Sequence, residues 1–164
     1  AKAFASMDKK PKRSVLFILF AGEEKGLYGS EFYVDNPLFP LSKTVVMLNL
    51  DMISRNGNDS IEIEGEKQNP DLFPLLKMEI SKVGLTLVKP KEDLFGRSDQ
   101  YNFFKNGISG VDITSGLHSD YHTVRDNPNT INPLKAALIS KFTFRTAWII
   151  SNNKMHYKIL KGKK

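Results

Sequence analysis

The sequence predicts an α/β protein, a three-layer sandwich in which helices cover a mixed, largely parallel central sheet. Short apolar runs of strand length alternate along the 164-residue chain with segments of helical pattern. Alternation of this kind favours strands joined by helices that pack on the sheet. With 40% hydrophobic and 26% charged residues, the composition is that of a globular protein. We therefore expect one domain spanning residues 1–164.

The first half of the chain contains three predicted strands and one helix. The run at 14–20 (SVLFILF) is apolar from Val15 onward and predicts a central strand buried on both faces. The run at 44–51 (TVVMLNLD) predicts a second strand, and 61–65 (IEIEG) alternates like a strand with one wet face. Between the first two runs, SEFYVDN predicts a short helix that stops before Pro37.

The second half contains further predicted elements, each bounded by turn or capping residues. They are a hairpin turn at Asn56-Gly57, a helix from Asn69-Pro70 to Gly84, a strand at 85–90, a helix over DQYNFFKN capped by Ser98, a strand at 109–116, and a helix from Asn132-Pro133 to about Ser151 with Leu134, Leu138 and Phe142 along one face.

The charge and the cysteine count exclude several function classes. The net charge of +6 is concentrated in the segment 9–13 (KKPKR) and in a basic tail, 158–164. No aromatic residues interleave with basic ones, so we expect no nucleic-acid partner. No apolar run approaches the ~20 residues of a membrane span. The chain has no cysteine, which excludes disulfides but does not decide the compartment. An exported bacterial protein, periplasmic or extracellular, is the expectation.

Polar side chains follow three of the predicted strands at their carboxyl ends. Glu23 and Glu24 follow the first apolar run, Asp51 follows the second, and His122 lies in the loop after 109–116. Ligands of open α/β sheets bind beyond the carboxyl ends of the strands. Carboxylates and imidazoles are the ligands that a catalytic zinc accepts, and a glutamate that does not bind the metal can serve as general base. Their convergence on one edge favours a metal site.

Each of these signals taken alone also has an ordinary explanation. An adjacent Glu-Glu pair is commonly a solvated turn, and an aspartate after a strand is commonly a turn former. His118 and His122 are four apart, as on a metalloprotease helix. They lie in a loop rich in turn residues, however, which does not favour a helix.

Four motifs, taken together and in this order, resemble the co-catalytic di-zinc aminopeptidases. They are AGEEKGLYGS (21–30), NLDMISR (49–55), FGRSDQYNF (95–103) and GLHSDYHTVRD (116–126). The family includes bacterial leucyl aminopeptidases, aminopeptidase Y, glutamate carboxypeptidase relatives and glutaminyl cyclases, and the match runs from about Ser14 to Asn152. The resemblance implies a fold of the phosphorylase/hydrolase-like, zinc exopeptidase type and a peptide substrate.

The resemblance also implies a role for each matching residue. Glu23 would be the general base that takes a proton from the zinc-activated water and passes it to the leaving amine. Glu24 and His122 would bind one zinc, Asp51 would bind the other, and Tyr121 would donate to the oxyanion. Three further residues would lie near the pocket wall as substrate-binding or structural residues: Ser98, Asp99 and His118. Two zinc ions about 3.5–4 Å apart would polarise the scissile carbonyl.

The sequence departs from this family at two metal ligands. A histidine in a His-x-Asp motif and a bridging aspartate should both precede the Glu-Glu pair, and neither does. We therefore expect the C-terminal portion of a catalytic domain, with its N-terminal strands missing. Such a chain should bind zinc with reduced occupancy, be inactive alone, and self-associate through an exposed sheet edge.

Three functions stay open at this point. The first is a zinc-dependent aminopeptidase, with carboxypeptidase or dipeptidase action not excluded. The second is a glutaminyl cyclase-type acyltransferase, and the third is a non-catalytic domain of the same family. The extended backbone predicted before Gly26 would let Glu23 and Glu24 point in different directions and serve different roles.

Overall fold

The computed structural model describes residues 1–161, so residues 162–164 of the predicted basic tail lie outside the described part. The strands are β1 (Val46–Leu50), β2 (Ser60–Glu64), β3 (Thr86–Val88) and β4 (Ser109–Thr114). The α-helices are α1 (Lys2–Ala5), α2 (Tyr28–Asp35), α3 (Phe73–Ser81), α4 (Gln100–Lys105) and α5 (Pro133–Asn152).

The strands form one sheet in the order β1-β4-β2-β3. β1 pairs with β4 in parallel and β2 pairs with β3 in parallel, whereas β2 and β4 are antiparallel. The predicted mixed, largely parallel sheet is therefore confirmed. The prediction of a hairpin at Asn56-Gly57 is wrong, because β4 lies between β1 and β2 in the sheet. The segment around Asn56 is instead a turn that carries the chain across β4.

Helices cover both faces of the sheet, as the three-layer prediction requires. One face is apolar, and Ile61, Ile63, Val111 and Ile113 pack there against α3 and α5. On the other face, α4 lies close to β4, because a Cβ on Gly110 would come within 3.2 Å of the Gln100 carbonyl oxygen. α2 packs against α4 on that side.

The last helix confirms its predicted cap and most of its predicted buried face. The Asn132 side chain accepts a hydrogen bond from the Lys135 amide, as an N-cap does. Of the three residues predicted on this face, Phe142 is fully buried and Leu138 packs against the core, whereas Leu134 is 54% exposed. Ile139 is also fully buried. The inward stripe begins at Lys135, whose ammonium group donates to the carbonyl oxygens of Gly57 and Ser60. Lys135 therefore links the turn before β2 to helix α5 through hydrogen bonds.

The predicted central strand at 14–20 is wrong. The segment has no strand pairing, and no backbone hydrogen bond joins it to the rest of residues 1–161. Its side chains are not buried on both faces, since Phe17 is half-exposed and Leu19 fully exposed. Only part of its apolar surface packs, through the contact of Phe17 with Phe4 and of Phe20 with Phe103. An apolar run specifies a buried strand only where neighbouring strands pair with it.

This unpaired segment leads us to predict self-association of the chain. Exposed apolar side chains beside an unpaired backbone favour pairing between copies, because both apolar surface and backbone groups gain partners. Replacement of Leu19 by lysine is expected to shift the chain toward the monomer in size-exclusion chromatography with light scattering. Val124→Lys is the matched control, because Val124 is equally exposed but lies on a separate loop. A monomer of the unchanged chain at all concentrations would contradict the prediction.

None of the helices in residues 1–161 combines the length and the apolar character needed to cross a bilayer.

Candidate active site

The two adjacent glutamates lie on a tight turn whose shape depends on glycine. Glu23–Lys25 form a single 3₁₀ turn, flanked by Gly22 and Gly26 in left-handed conformations. The prediction of an extended backbone before Gly26 is therefore wrong. Gly29 lets α2 start directly against this loop, because a Cβ there would lie 2.4 Å from the Ala21 carbonyl oxygen. The turn presents half-buried Glu23 and exposed Glu24 to the same cavity.

Asp51 follows β1 directly and is held by the serine that was predicted to cap α4. Ser98 Oγ donates to Asp51 Oδ2 at 2.9 Å and accepts from Asn49 Nδ2 at 2.7 Å. Asn49 also donates to Asp112 Oδ1 at 3.0 Å. α4 has no side-chain cap. The Ser98 hydroxyl therefore orients a predicted metal ligand, as hydrogen bonds behind a metal site do.

The loop after β4 brings Tyr121 and His122 back to the turn that carries the glutamates. His122 Nε2 lies 3.2 Å from Glu24 Oε2, although the two residues are far apart in the sequence. The rings of Tyr121 and His122 stack with centroids 3.8 Å apart. His122 has a φ of 56°, a left-handed conformation uncommon for a residue with a side chain. Backbone strain of this kind concentrates at functional sites.

The predicted site residues meet in a cavity of about 140 Å³. Six of the eight predicted residues line it: Glu23, Glu24, Asp51, Ser98, Tyr121 and His122. Asp99 and His118 do not line it. Asp99 is buried with Oδ1 unpartnered, and His118 is buried with Nε2 3.6 Å from Asp126 Oδ2.

The pKa values of Glu23 and Tyr121, two of the predicted site residues, are raised in the cavity. Burial, together with the nearby carboxylates of Asp51, Glu24 and Asp99, raises the pKa of Glu23 to about 6. A divalent cation beside this group would oppose that shift. Burial also raises the pKa of Tyr121 above its ordinary value, although Arg97 acts in the opposite direction. The Tyr121 hydroxyl therefore keeps its proton at neutral pH and can donate a hydrogen bond.

Three acidic residues on the strands that line the cavity were not singled out from the sequence. Glu62, Glu64 and Asp112 line the same space as Glu23 and His122. The alternation in IEIEG was a usable signal, because it places Glu62 and Glu64 on one face of β2. That face was expected to be wet, and it lines the cavity instead.

Arg55, at the end of the second motif, fixes the loop that carries Tyr121 and His122. Its guanidinium lies 2.6 Å from Asp120 Oδ2 and 2.8 Å from Asp126 Oδ1, and it also donates to Thr130. The Arg55 side chain is only 13% exposed. Charge-assisted hydrogen bonds at such a position are stronger than those of exposed pairs.

We predict that Arg55→Ala will loosen this loop. The loss of its ionic hydrogen bonds should raise amide hydrogen exchange in residues 117–130 by on the order of 10-fold or more. Exchange measured by mass spectrometry on the chain checks this. Arg125→Ala is the control, because Arg125 also pairs with Asp120 but is 66% exposed and should matter little. Equal exchange in the two variants would show that Arg55 does not hold the loop.

The donor atoms of the Glu24–His122 pair fit one zinc ion. Two ligand atoms at about 2.0–2.1 Å from a tetrahedral zinc lie roughly 3.3 Å apart, and the observed separation is 3.2 Å. Within residues 1–161, no group of three or more His, Asp or Glu side chains is arranged to hold a metal ion. The described residues therefore supply a pair of ligands for one ion, with Asp51 as a separate donor in the same cavity.

Comparison with solved structures shows the same fold in bacterial enzymes. The chain is similar to the Legionella pneumophila LapA aminopeptidase (TM-score 0.81, 20% identity, 92% of this chain and 42% of that one). It is also similar to BSAP, a zinc aminopeptidase from Bacillus subtilis (TM-score 0.68, 21% identity, 87% and 38%). A third similar structure is the Porphyromonas gingivalis glutaminyl cyclase (TM-score 0.61, 20% identity, 80% and 49%). The chain thus spans less than half of each of these proteins.

No curated protein sequence matches the chain. The model of peptidase family M28, by contrast, matches residues 1–146, which include the Glu-Glu turn, Asp51 and the Tyr121-His122 loop. The order of the four motifs, the mixed sheet and the family match agree, and the chain belongs to peptidase family M28.

Proposed function

We propose that the complete protein is a zinc-dependent aminopeptidase that removes N-terminal residues from peptides. The observation that carries this proposal is the 3.2 Å approach of Glu24 Oε2 to His122 Nε2 in a cavity shared with Glu23 and Asp51. Family membership supports peptide hydrolysis, and the fold shared with aminopeptidases supports the exopeptidase assignment.

The residues of the cavity suit the steps of peptide hydrolysis. Glu24 and His122 would hold one zinc ion, and Asp51 would contribute to a second. When bound, zinc would polarise the scissile carbonyl and lower the pKa of the attacking water. Glu23, which binds no metal in this assignment, would take a proton from the attacking water and pass it to the leaving amine. The protonated Tyr121 hydroxyl donates to the carbonyl oxygen as negative charge develops there.

The test is an assay of the full-length protein with zinc. We expect turnover of aminoacyl para-nitroanilides and of peptides with a free N-terminus, and no turnover of the same peptides after N-acetylation. Loss of activity with a chelator and recovery with zinc would support the metal assignment. Hydrolysis only of N-acetylated peptides, from the C-terminal end, would overturn the aminopeptidase assignment in favour of a carboxypeptidase.

A glutaminyl cyclase-type acyltransferase is the second candidate, favoured by the fold shared with the Porphyromonas gingivalis enzyme. An N-terminal glutaminyl peptide separates the two functions. Cyclisation releases ammonia and leaves the peptide length unchanged, whereas an aminopeptidase releases free glutamine. A non-catalytic domain would do neither.

For the chain alone, residues 1–164, we predict weak zinc binding and no hydrolysis. A catalytic zinc usually has three protein ligands, whereas Glu24 and His122 offer two to one ion. Isothermal titration with zinc should show weak binding that His122→Ala removes. Lys25→Ala is the control, since it changes the same turn without removing a ligand. Tight binding of two zinc ions, or turnover by this chain alone, would contradict the prediction.

A further inference from the structure

One end of the active-site cavity is lined by three carboxyl groups that the proposed chemistry does not use. Glu64 on β2 lies opposite Asp112 on β4, and Glu62 lies opposite Thr114. Because side chains alternate along a strand, Glu62, Glu64 and Asp112 lie on the face opposite the apolar core. All three line the cavity that contains Glu23. We call these three residues the acidic floor.

Two of the three floor residues are buried, and within residues 1–161 no basic side chain forms an ion pair with the floor, although Lys91 and Lys135 act on half-buried Glu62 from a longer distance. Glu64 is 6% exposed and Asp112 is 7% exposed. In residues 1–161, no Lys, Arg or His nitrogen lies within 4.0 Å of any of the three carboxylates. Asn49 is the one side chain in that part of the chain that donates to the floor, at Asp112 Oδ1. Glu64 lines the cavity, is more than nine-tenths buried and receives no side-chain hydrogen bond, and its hydrogen-bonding partner is the backbone of Leu94.

A second buried glutamate in the same protein shows what a purely structural carboxylate looks like. Glu79 is fully buried, and it is paired with Lys82 at 2.6 Å and with Arg145 at 2.8 Å. Burial opposes its ionisation, but these two partners outweigh burial and lower its pKa. In the acidic floor, burial outweighs the stabilising contacts. It raises the pKa of Glu64 above its ordinary value and raises the pKa of Asp112 to about 8. The floor lacks the positive partner that Glu79 has.

The shape of the cavity places the acidic floor within reach of a substrate side chain. β4 separates β1 from β2, so the floor residues of β2 lie two strand spacings, about 10 Å, from the strand that ends at Asp51. Leu94 and Leu117 also line the cavity and provide apolar contact for a methylene chain. Gly116 brings the backbone against Glu62, because a Cβ there would lie 2.5 Å from Glu62 Oε1. A long side chain with a terminal positive charge fits this arrangement.

We infer that the acidic floor is the specificity subsite for a cationic side chain, and that the enzyme prefers peptides with N-terminal lysine or arginine. This inference rests on the proposed aminopeptidase function and names its substrate class. The four-carbon stem of lysine reaches about 6 Å past its Cα and carries a compact positive charge. That charge would supply the ion-pair partner that Glu64 does not have within residues 1–161, and burial of the pair would strengthen the attraction.

The test compares lysyl and norleucyl para-nitroanilides on the full-length, zinc-loaded protein. Norleucine carries the four-carbon chain of lysine without its amino group, so the ratio of kcat/KM isolates the charge. We expect a lysyl preference on the order of 10- to 100-fold, the value of one charge-assisted hydrogen bond. Glu64→Gln should lower the ratio about 10-fold or more. Glu66→Gln removes the same charge at an exposed position and should leave the ratio unchanged.

The outcomes separate this inference from the proposed function. Faster cleavage of the norleucyl substrate, or a ratio unaffected by Glu64→Gln, would overturn the inference while leaving aminopeptidase activity in place. If neither substrate is cleaved, the proposed function fails, and titration with L-lysinamide and L-norleucinamide decides the inference by binding. Equal affinities would overturn it. Should Glu64→Gln fail to fold, as judged by circular dichroism, Glu62→Gln provides the same comparison.

Discussion

Replacement of Glu23 by glutamine is expected to lower the kcat of the full-length enzyme by about 10²- to 10⁴-fold. Glutamine has nearly the same shape, but its amide cannot accept a proton from the attacking water. Glu23 is the half-buried carboxylate of the cavity that lies on the Glu-Glu turn. Steady-state kinetics with a leucyl and a lysyl substrate measure the loss. Glu31→Gln, on the exposed side of α2, is the control and should retain activity.

Comparison with the neighbouring glutamate, Glu24, tests whether Glu23 is the base and Glu24 the zinc ligand. Glu23→Gln should keep its zinc, measured by atomic absorption after desalting, because Glu23 is assigned as a base. Glu24→Gln should lose zinc as well as activity, because its carboxylate approaches His122 at 3.2 Å. If the two variants lost zinc equally, the division between base and ligand would be wrong.

Replacement of Asn69 by alanine is expected to lower the free energy of unfolding by about 2–4 kcal/mol. Asn69 is fully buried. Its Nδ2 donates to the carbonyl oxygens of Gly65 and Gly110, each at 2.8 Å, and its Oδ1 accepts from Ser109 Oγ and the Gly110 amide. The pairing of β2 with β4 reaches only as far as Asp112, and the Asn69 side chain takes the place of a strand partner beside Gly110. Without it, buried backbone groups lose their hydrogen bonds.

Urea or thermal unfolding of the chain followed by circular dichroism measures this change. Asn69→Asp should be at least as destabilising at neutral pH, since a carboxylate oxygen would then face two carbonyl oxygens in a buried site. Asn129→Ala, at an exposed position, should change the stability by no more than about 0.5 kcal/mol. A stable Asn69→Ala variant would show that water replaces the amide side chain.

Asn69 illustrates how far the sequence determined local structure. The Asn-Pro pair correctly indicated that a helix follows, but α3 begins at Phe73 and has no side-chain cap. The amide of Asn69 instead completes the edge of the sheet beside Gly110. Asn132-Pro133 carries the same signal, and there the cap is formed. The two positions have similar local sequence, and the difference lies in which unpaired backbone groups surround each side chain.

In the active site, too, some features were predicted from the sequence and others depend on the fold. Glu23, Glu24, Asp51, Tyr121 and His122 were all identified from motifs, and all five line one cavity. Arg55 and the acidic floor were not identified, because their roles depend on partners brought near by folding. Arg55 acts through Asp120 and Asp126. The floor acquires its character from the burial of Glu64 and Asp112, which have no ion-pair partner in residues 1–161. The alternation in IEIEG places two of the floor residues on one face of β2, but neither their burial nor the partners of Arg55 can be read from a local pattern.

By itself, the sequence determined the fold class, most of the strands and helices, the family and the polar residues that converge at one edge of the sheet. Periodicity, capping residues and short motifs are local properties, so the chain displays them before it folds. The tertiary structure alone decided that the apolar run at 14–20 lies unpaired at the surface and that the Glu-Glu pair sits on a 3₁₀ turn. It also decided that the polar face of β2 lines the site. Strand pairing, burial and charge neutralisation depend on contacts between distant residues, and those contacts exist only in the folded molecule.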